Sequence, residues 1–513
     1  MSDTMTTAHR NTFRTRALRA GRLATCLGIL AATPALAAGT GAARVSFGAL
    51  AFEPCTLAAA GQAVTLAARC ASLEVPEDRA RPGARRIELA IAWVPSTSKS
   101  PAPEPVMFLA GGPGQSALEA FPMVAPAFRE TLRQRHVILV DQRGTGRSHP
   151  LECPGAINPD DVSALDTGDP DVARGIATRC LVEVRASADP RFYTTSDYVA
   201  DLEAVRAALA VERVNLVGVS YGTRVALEYL RRHAARVRAV VLDSTVPPPL
   251  ILGAEHARNL DAAIDAQFRR CEADAACRER YGSPRERLES LLARLRAQPV
   301  RVAYADPLTD EPREDELTAD ALAGVVRLHA YAPQLFAMLP MLLDAAANGR
   351  YATLMAQARM VEQLVGEQIS VPLQLAVSCA EDAPWLASDP ADRDTLLGTQ
   401  FVDFLREQCA VWPRGSVPAD FHAPVVADRP VLLFSGEFDP VTPPRYGEDV
   451  ARRLPSARHL VLRGQGHSVL GIGCTPRLMA QFLERPEPAR LDARCLDALG
   501  YVPPFAGAYG WDP

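Results

Sequence analysis

Gly218-Val219-Ser220-Tyr221-Gly222 sets a serine between two glycines at the G-x-S-x-G spacing of a nucleophile elbow. The pentapeptide directly follows the apolar run 214–217 and opens a segment with Val225, Leu227 and Leu230 at helical spacing. It therefore occupies the junction of strand, turn and helix that such an elbow requires. So sharp a turn strains the serine backbone, and the flanking positions are glycine because side chains there would collide. The chemistry implied is nucleophilic attack by the Ser220 hydroxyl.

A serine hydroxyl is a weak nucleophile near neutral pH and needs a base, which in turn needs an orienting acid. Among the nine histidines, His467 alone lies in a glycine-rich loop, Gly464-Gln465-Gly466-His467-Ser468, just after the last apolar strand pattern. It is the candidate base. His233 and His256 fall in charged, helix-patterned surroundings, and His136, His149, His329, His422 and His459 lack such a loop. The acid is expected between serine and histidine in chain order, at a strand end. Asp439 fits, closing the run 432–438 before Pro440 and Pro443, with Glu437 as a neighbouring rival. The oxyanion of an acyl-transfer intermediate needs two N–H donors. One is expected from Tyr221, directly after the nucleophile, and the other from Gly112, with Gly111 second, in the glycine loop after the run 106–109.

These residues must be carried by strands ending on one edge. Apolar runs at 86–94, 106–110, 136–140, 214–219 and 238–242 read as strands, as do 431–435 and 459–462. Helical spacing fills 116–133, 196–210, 221–234, 445–454 and 476–484, with Ser196 as an N-cap. The alternation predicts a parallel β/α construction. After Pro247-Pro248-Pro249 the pattern turns helical and more charged, with few strands, which predicts an inserted cap over 250–420 between core segments 38–249 and 421–513.

At 513 residues with 48% hydrophobic and 22% charged, the chain is too long and apolar for a disordered or fibrous protein. A net charge of −5 with interspersed signs argues against nucleic acid as a partner. Residues 1–37 read as an export signal: arginines at 10, 14, 16, 19 and 22, an apolar run at 23–36, then Ala35-Leu36-Ala37. No later run is long enough to predict a membrane anchor. Ten cysteines remain beyond that segment, an even number that in an exported chain implies disulfides. Joining neighbours closes short loops and pairs Cys55 with Cys70, Cys153 with Cys180, Cys271 with Cys277, Cys379 with Cys409, and Cys474 with Cys495. No metal is expected, since no C-x-x-C or H-E-x-x-H occurs. No cofactor is expected either: Gly144-Thr145-Gly146 lacks the third glycine and the acidic partner of a dinucleotide loop.

Taken together, Gly111-Gly112-Pro113-Gly114, the segment Asp141-Gln142-Arg143-Gly144-Thr145-Gly146-Arg147-Ser148, the elbow at Ser220 and Gly436-Glu437-Phe438-Asp439-Pro440 are distinctive. They resemble the α/β-hydrolase serine peptidases that include prolyl aminopeptidases and secreted bacterial tripeptidyl aminopeptidases. The run from Cys70 to Pro76 and the tail bracketed by Cys474 and Cys495 resemble the tripeptidyl branch. Ala110 departs from the histidine usual before Gly-Gly-Pro-Gly in prolyl aminopeptidases, so proline specificity does not carry over. The resemblance implies an α/β-hydrolase fold, a mostly parallel sheet flanked by helices with an inserted, mainly helical cap. It also implies acyl transfer from peptides by Ser220, His467 and Asp439. An aminopeptidase must hold a free ammonium, and Glu381 and Asp382 are the expected carboxylates, with Trp385 as a pocket wall. A carboxylesterase or lipase shares the same constellation, and a catalytically silent binding protein would lack one of its members.

Overall fold

The computed structural model of the protein describes residues 44–155 and 169–505; the expected export signal at 1–37 lies outside the described residues. In chain order the strands are β1 (Val45–Phe47), β2 (Leu50–Ala58), β3 (Thr65–Pro76), β4 (Arg86–Val94), β5 (Val106–Leu109) and β6 (Val137–Val140). They continue as β7 (Val214–Val219), β8 (Val237–Asp243), β9 (Val300–Ala305), β10 (Pro312–Leu317), β11 (Val431–Gly436) and β12 (Ala457–Leu462).

Ten of these form one sheet in the order β1-β2-β3-β4-β6-β5-β7-β8-β11-β12. From β6 to β12 all neighbours run parallel, whereas β1 to β4 are antiparallel and β4 joins β6 antiparallel. The central strands β5 and β6 are apolar throughout, and β7, β8 and β11 mostly so, because both faces are covered. Alternate residues feed two cores. Met107, Ile138, Leu216, Val240 and Leu433 face one, with the helices Thr195–Ala208 and Tyr221–His233. Phe108, Leu139, Val217, Val241 and Phe434 face the other, with the helices Ala117–Val124 and Thr475–Glu484. This period of two fixes which side chains meet each layer of helices, and the parallel direction puts the carboxyl ends of β5, β6, β7, β8, β11 and β12 on one edge.

Several expectations need correction. The strands β1 to β3 escape the apolar-run reading because β2 buries only Leu50, Phe52 and Leu57, which are separated by exposed or half-buried residues and form no run. The N-cap of the helix Thr195–Ala208 is Thr194, not Ser196: the Thr194 hydroxyl accepts from Asp197 N while the Asp197 carboxylate accepts from Thr194 N, a reciprocal capping box.

The segment between β8 and β11 divides into two differently packed parts. The helices His256–Ala273, Pro284–Ala297, Ala319–His329, Leu339–Ala347 and Ala352–Gln368, with the antiparallel hairpin β9–β10, enclose their own core around Leu260, Phe268, Leu291, Leu322 and Leu342. The helices Val371–Glu381 and Gln400–Val411 instead join the sheet-side core through Leu373, Leu375, Val402 and Leu405. Val371–Glu381 is apolar nearly all round, and such a helix is stable only when surrounded. The structure joins all five expected cysteine pairs. Among the described residues no helix is long and apolar enough to cross a membrane.

Candidate active site

Five parallel strands end at the site: β5 runs into the Ala110–Gly114 loop, β7 into Ser220, β8 into Asp243, β11 into Asp439 and β12 into the loop carrying His467. Outside the carboxyl ends of its strands is where an open α/β sheet binds ligands.

Ser220 sits at φ 55° and ψ −125°, a conformation that costs a non-glycine residue about 1–3 kcal/mol. The flanking glycines make the turn possible. A Cβ on Gly218 would lie 2.4 Å from the Gly222 carbonyl oxygen, and one on Gly222 would lie 2.2 Å from that of Leu109. The helix N-terminus is thus pressed against the end of β5, where the glycine loop begins. Tyr221 opens that helix, so its N–H has no acceptor within the helix. In the glycine loop, a Cβ on Gly111 would come 3.2 Å from Ser220 Cβ, and Gly112 follows at φ 106°. Tyr221 adjoins Ser220 in the chain, and of the two loop glycines it is Gly111 whose added Cβ would meet the Ser220 side chain.

Asp439 and His467 meet directly: Nδ1 lies 3.0 and 2.9 Å from the two carboxylate oxygens. With Nδ1–H donating to the carboxylate, Nε2 is left as the basic nitrogen. Asp439 is buried and also accepts from Val441 N, Thr442 N and Thr442 Oγ1, at 2.9, 2.8 and 2.8 Å. Burial raises its pKa, but the charge and hydrogen bond of His467 and the two backbone donors win and hold it at about 2. Burial pulls the His467 imidazole down, yet Asp439 and, more weakly, Asp243 carry it above its ordinary value. Glu437, the rival acid, is turned elsewhere, accepting from Gly464 N at 2.8 Å and Tyr501 Oη at 3.2 Å.

Among the described residues no hydrogen bond joins Ser220 Oγ to His467. The two are linked through Asp243. Its carbonyl oxygen accepts from Ser220 N at 2.9 Å, and its carboxylate accepts from Val469 N and Leu470 N in the loop that carries His467 at 2.8 and 3.0 Å. The segment between β8 and β11 also touches that loop. The Tyr331 carbonyl accepts from His467 N at 2.8 Å, and its ring lies edge-on to the imidazole at 5.1 Å. Neither residue was singled out from the sequence. The only signal was Asp243 closing an apolar run, where a buried acid needs a partner.

Glu381 and Asp382 require a correction. Both are fully buried, and neither offers a carboxylate to a passing ammonium. Asp382 is paired with Arg224 and accepts from Leu252 N at 3.0 Å. Glu381 accepts from Thr195 N and Thr195 Oγ1 at 2.6 and 2.9 Å, with Arg224 at 3.5 Å. The Thr195 hydroxyl continues to Tyr221 Oη at 2.6 Å, so the two acids brace the back of the elbow. Burial pushes Glu381 up to about 8, against the pull of Arg224 and with the help of Asp382. Trp385 is 58% exposed and packs edge-on to His422 at 4.7 Å.

The 141–148 segment is architectural. Asp141 accepts from Ser116 Oγ and Leu118 N at 2.7 and 2.9 Å, and the buried Arg143 donates twice to Asp201 at 2.7 Å. Among the described residues no group of three or more His, Cys, Asp or Glu side chains could hold a metal ion.

Residues 104–297 match the family model described as alpha/beta hydrolase fold, and residues 395–495 match that of TAP-like protein. The chain has the α/β-hydrolase fold with a TAP-like C-terminal segment. This hydrolase chain is 26% identical over 450 residues to the serine protease Hip1 of Mycobacterium tuberculosis, covering 81% of the chain and 85% of that protein. Carboxylesterase B of the same organism is 28% identical over 422 residues, covering 75% and 78%. A tripeptidyl aminopeptidase of Streptomyces lividans is 25% identical over 440 residues, covering 79% of each.

Proposed function

We propose that the protein is an exported serine hydrolase that releases short peptides or single residues from peptide N-termini through an acyl-enzyme. The observation that carries this reading is the Asp439–His467 pair at 2.9 Å, held on the same residue, Asp243, that holds the Ser220 amide. Ser220 Oγ attacks the peptide carbonyl while His467 Nε2 takes its proton, and Asp439 stabilises the imidazolium. The tetrahedral oxyanion is received by the N–H groups of Tyr221 and Gly112, each such donor being worth about 2.7–4 kcal/mol in the transition state. His467 returns the proton to the departing amine. Water then attacks the ester at Ser220, giving its proton to His467, and the acid leaves as Ser220 recovers its hydrogen. Export is supported by five disulfides, which persist in oxidising compartments.

The peptide reading rests on the peptidase relatives. The burial of Glu381 and Asp382 favours a second reading, a carboxylesterase, because it removes the carboxylates expected to hold the substrate ammonium. Three substrates separate the two: a tripeptide nitroanilide with a free amine, its N-acetylated twin and a short-chain nitrophenyl ester, each with wild type and Ser220→Ala. Cleavage of the free-amine peptide, lost on acetylation and in the variant, is the expected result. Turnover of the ester alone would sink the peptidase reading and leave the serine hydrolase.

A further inference from the structure

We infer that Asp243 is a positioning residue that couples the nucleophile to the base, setting both the placement of the His467 loop and its electrostatic field. The inference rests on the reading of Ser220 and His467 as nucleophile and base.

Asp243 ends β8 and is fully buried. Its main chain completes the β7–β8 ladder by accepting from Ser220 N at 2.9 Å, so it shares the strained turn. Its carboxylate meets three consecutive residues of the base loop: Ser468 Oγ at 3.4 Å, Val469 N at 2.8 Å and Leu470 N at 3.0 Å. The neighbouring Ser244 adds a fourth tie, its hydroxyl accepting from Ser468 N at 2.9 Å. A carboxylate accepting several backbone N–H groups locks a loop more firmly than a neutral acceptor does, because charge-assisted bonds are roughly twice as strong. His467 directly precedes the held residues, so its imidazole inherits their position.

The charge matters as well as the geometry. The groups around His467 are Asp439 and Thr442 from the loop after β11, Asp243 from β8, the Tyr331 ring from the inserted segment, and His256 at the start of the helix His256–Ala273. His256 is held down to about 3 by burial, with Arg327 and His467 adding to it, and it is neutral at working pH. Asp439 and Asp243 are therefore the negative charges that favour the imidazolium. Burial pushes Asp243 up to about 6, against the pull of the Val469 and Leu470 N–H groups. Below that pH its charge, and the field it supplies, are lost.

The test is the rate of labelling by a fluorophosphonate probe and of p-nitrophenyl acetate turnover from pH 4.5 to 8. Wild type, Ser220→Ala, Asp243→Asn and the control Ser468→Ala are compared, with thermal melting of each. Asp243→Asn is expected to label at least tenfold more slowly at pH 7 with KM little changed, and its acid limb should move to lower pH. Ser468→Ala, which removes only the long contact, should stay within about twofold of wild type. An Asn variant with wild-type rate and an unmoved acid limb would overturn the inference. A wild-type measurement stands even if the variant does not fold: His467, carried above its ordinary value, is protonated first, and Asp243 takes a second proton near pH 6, so below that pH the labelling rate should fall more than tenfold per pH unit. A limb of single-proton slope would count against Asp243. Persistent labelling of Ser220→Ala would remove the nucleophile assignment itself, and both readings with it.

Discussion

Arg224 and Asp382 form a double hydrogen-bonded ion pair inside the protein, Nη1 to Oδ2 at 2.8 Å and Nη2 to Oδ1 at 3.1 Å. Arg224 belongs to the helix that starts behind Ser220, and Asp382 ends the helix Val371–Glu381. Removing one partner of a buried pair leaves the other charge uncompensated and costs about 3–5 kcal/mol. Asp382→Ala is therefore expected to lower the denaturant midpoint strongly, by an amount in that range once multiplied by the unfolding slope. A change under about 1 kcal/mol would mean that the pair is not a structural brace.

Glu381 gives this brace a pH dependence. Its folded-state pKa is raised from the ordinary 4.5 to about 8, so between those values the folded protein keeps a proton that the unfolded chain has released. Stability from this group is full below about pH 4.5 and is lost as pH rises towards 8. Melting temperatures of wild type and Glu381→Gln across this window should show wild type losing ground to the variant as pH increases. Parallel curves would place the carboxyl in an ordinary environment.

Ser220 is held at φ 55° in the turn between β7 and the helix Tyr221–His233. Glycine adopts that conformation without strain, so Ser220→Gly should abolish turnover while raising stability by about 1 kcal/mol or more. Equal or lower stability of the inactive variant, measured by chemical denaturation, would show that the turn is not strained.

The pairing of Asp439 with His467 predicts a rate effect with a pH signature. Asp439→Asn should lower kcat by about 10³–10⁴, the loss expected when the imidazole is held in the wrong tautomer. Because Asp439 helps to carry His467 above its ordinary pKa, the residual activity should show an acid limb moved to lower pH. Stopped-flow or progress-curve kinetics from pH 5 to 9 would measure both.

The parallel strands and the loops at their ends were legible in the sequence because each central strand is buried on both faces and so is mostly apolar along its length. Ser220, Asp439 and His467 follow from the same signal, since each closes or follows such a run. The fate of Glu381 and Asp382 was hidden for a physical reason: an acid looks solvated until its counter-charge is known, and here that charge lies on Arg224, 158 residues from Asp382 along the chain. Asp243 and Tyr331 were missed likewise, because their partners are main-chain groups of a loop that only the folded sheet brings near. The antiparallel strands β2 and β3 show that a few buried residues scattered among exposed ones make a faint pattern even when the register is well defined.

The Tyr331 carbonyl that accepts from His467 N bears on how this enzyme could be re-engineered. A Cβ on Gly466 would stand only 2.2 Å from that oxygen, so the two backbones meet with no room for adjustment. The segment between β8 and β11 is consequently not an exchangeable module. A chimera that replaces residues between β8 and β11 to import another selectivity would also unseat the imidazole, unless the donor supplies a carbonyl at the same point. Grafts that retain Ala330-Tyr331 and vary the helices beyond them keep the joint, and with it the chemistry.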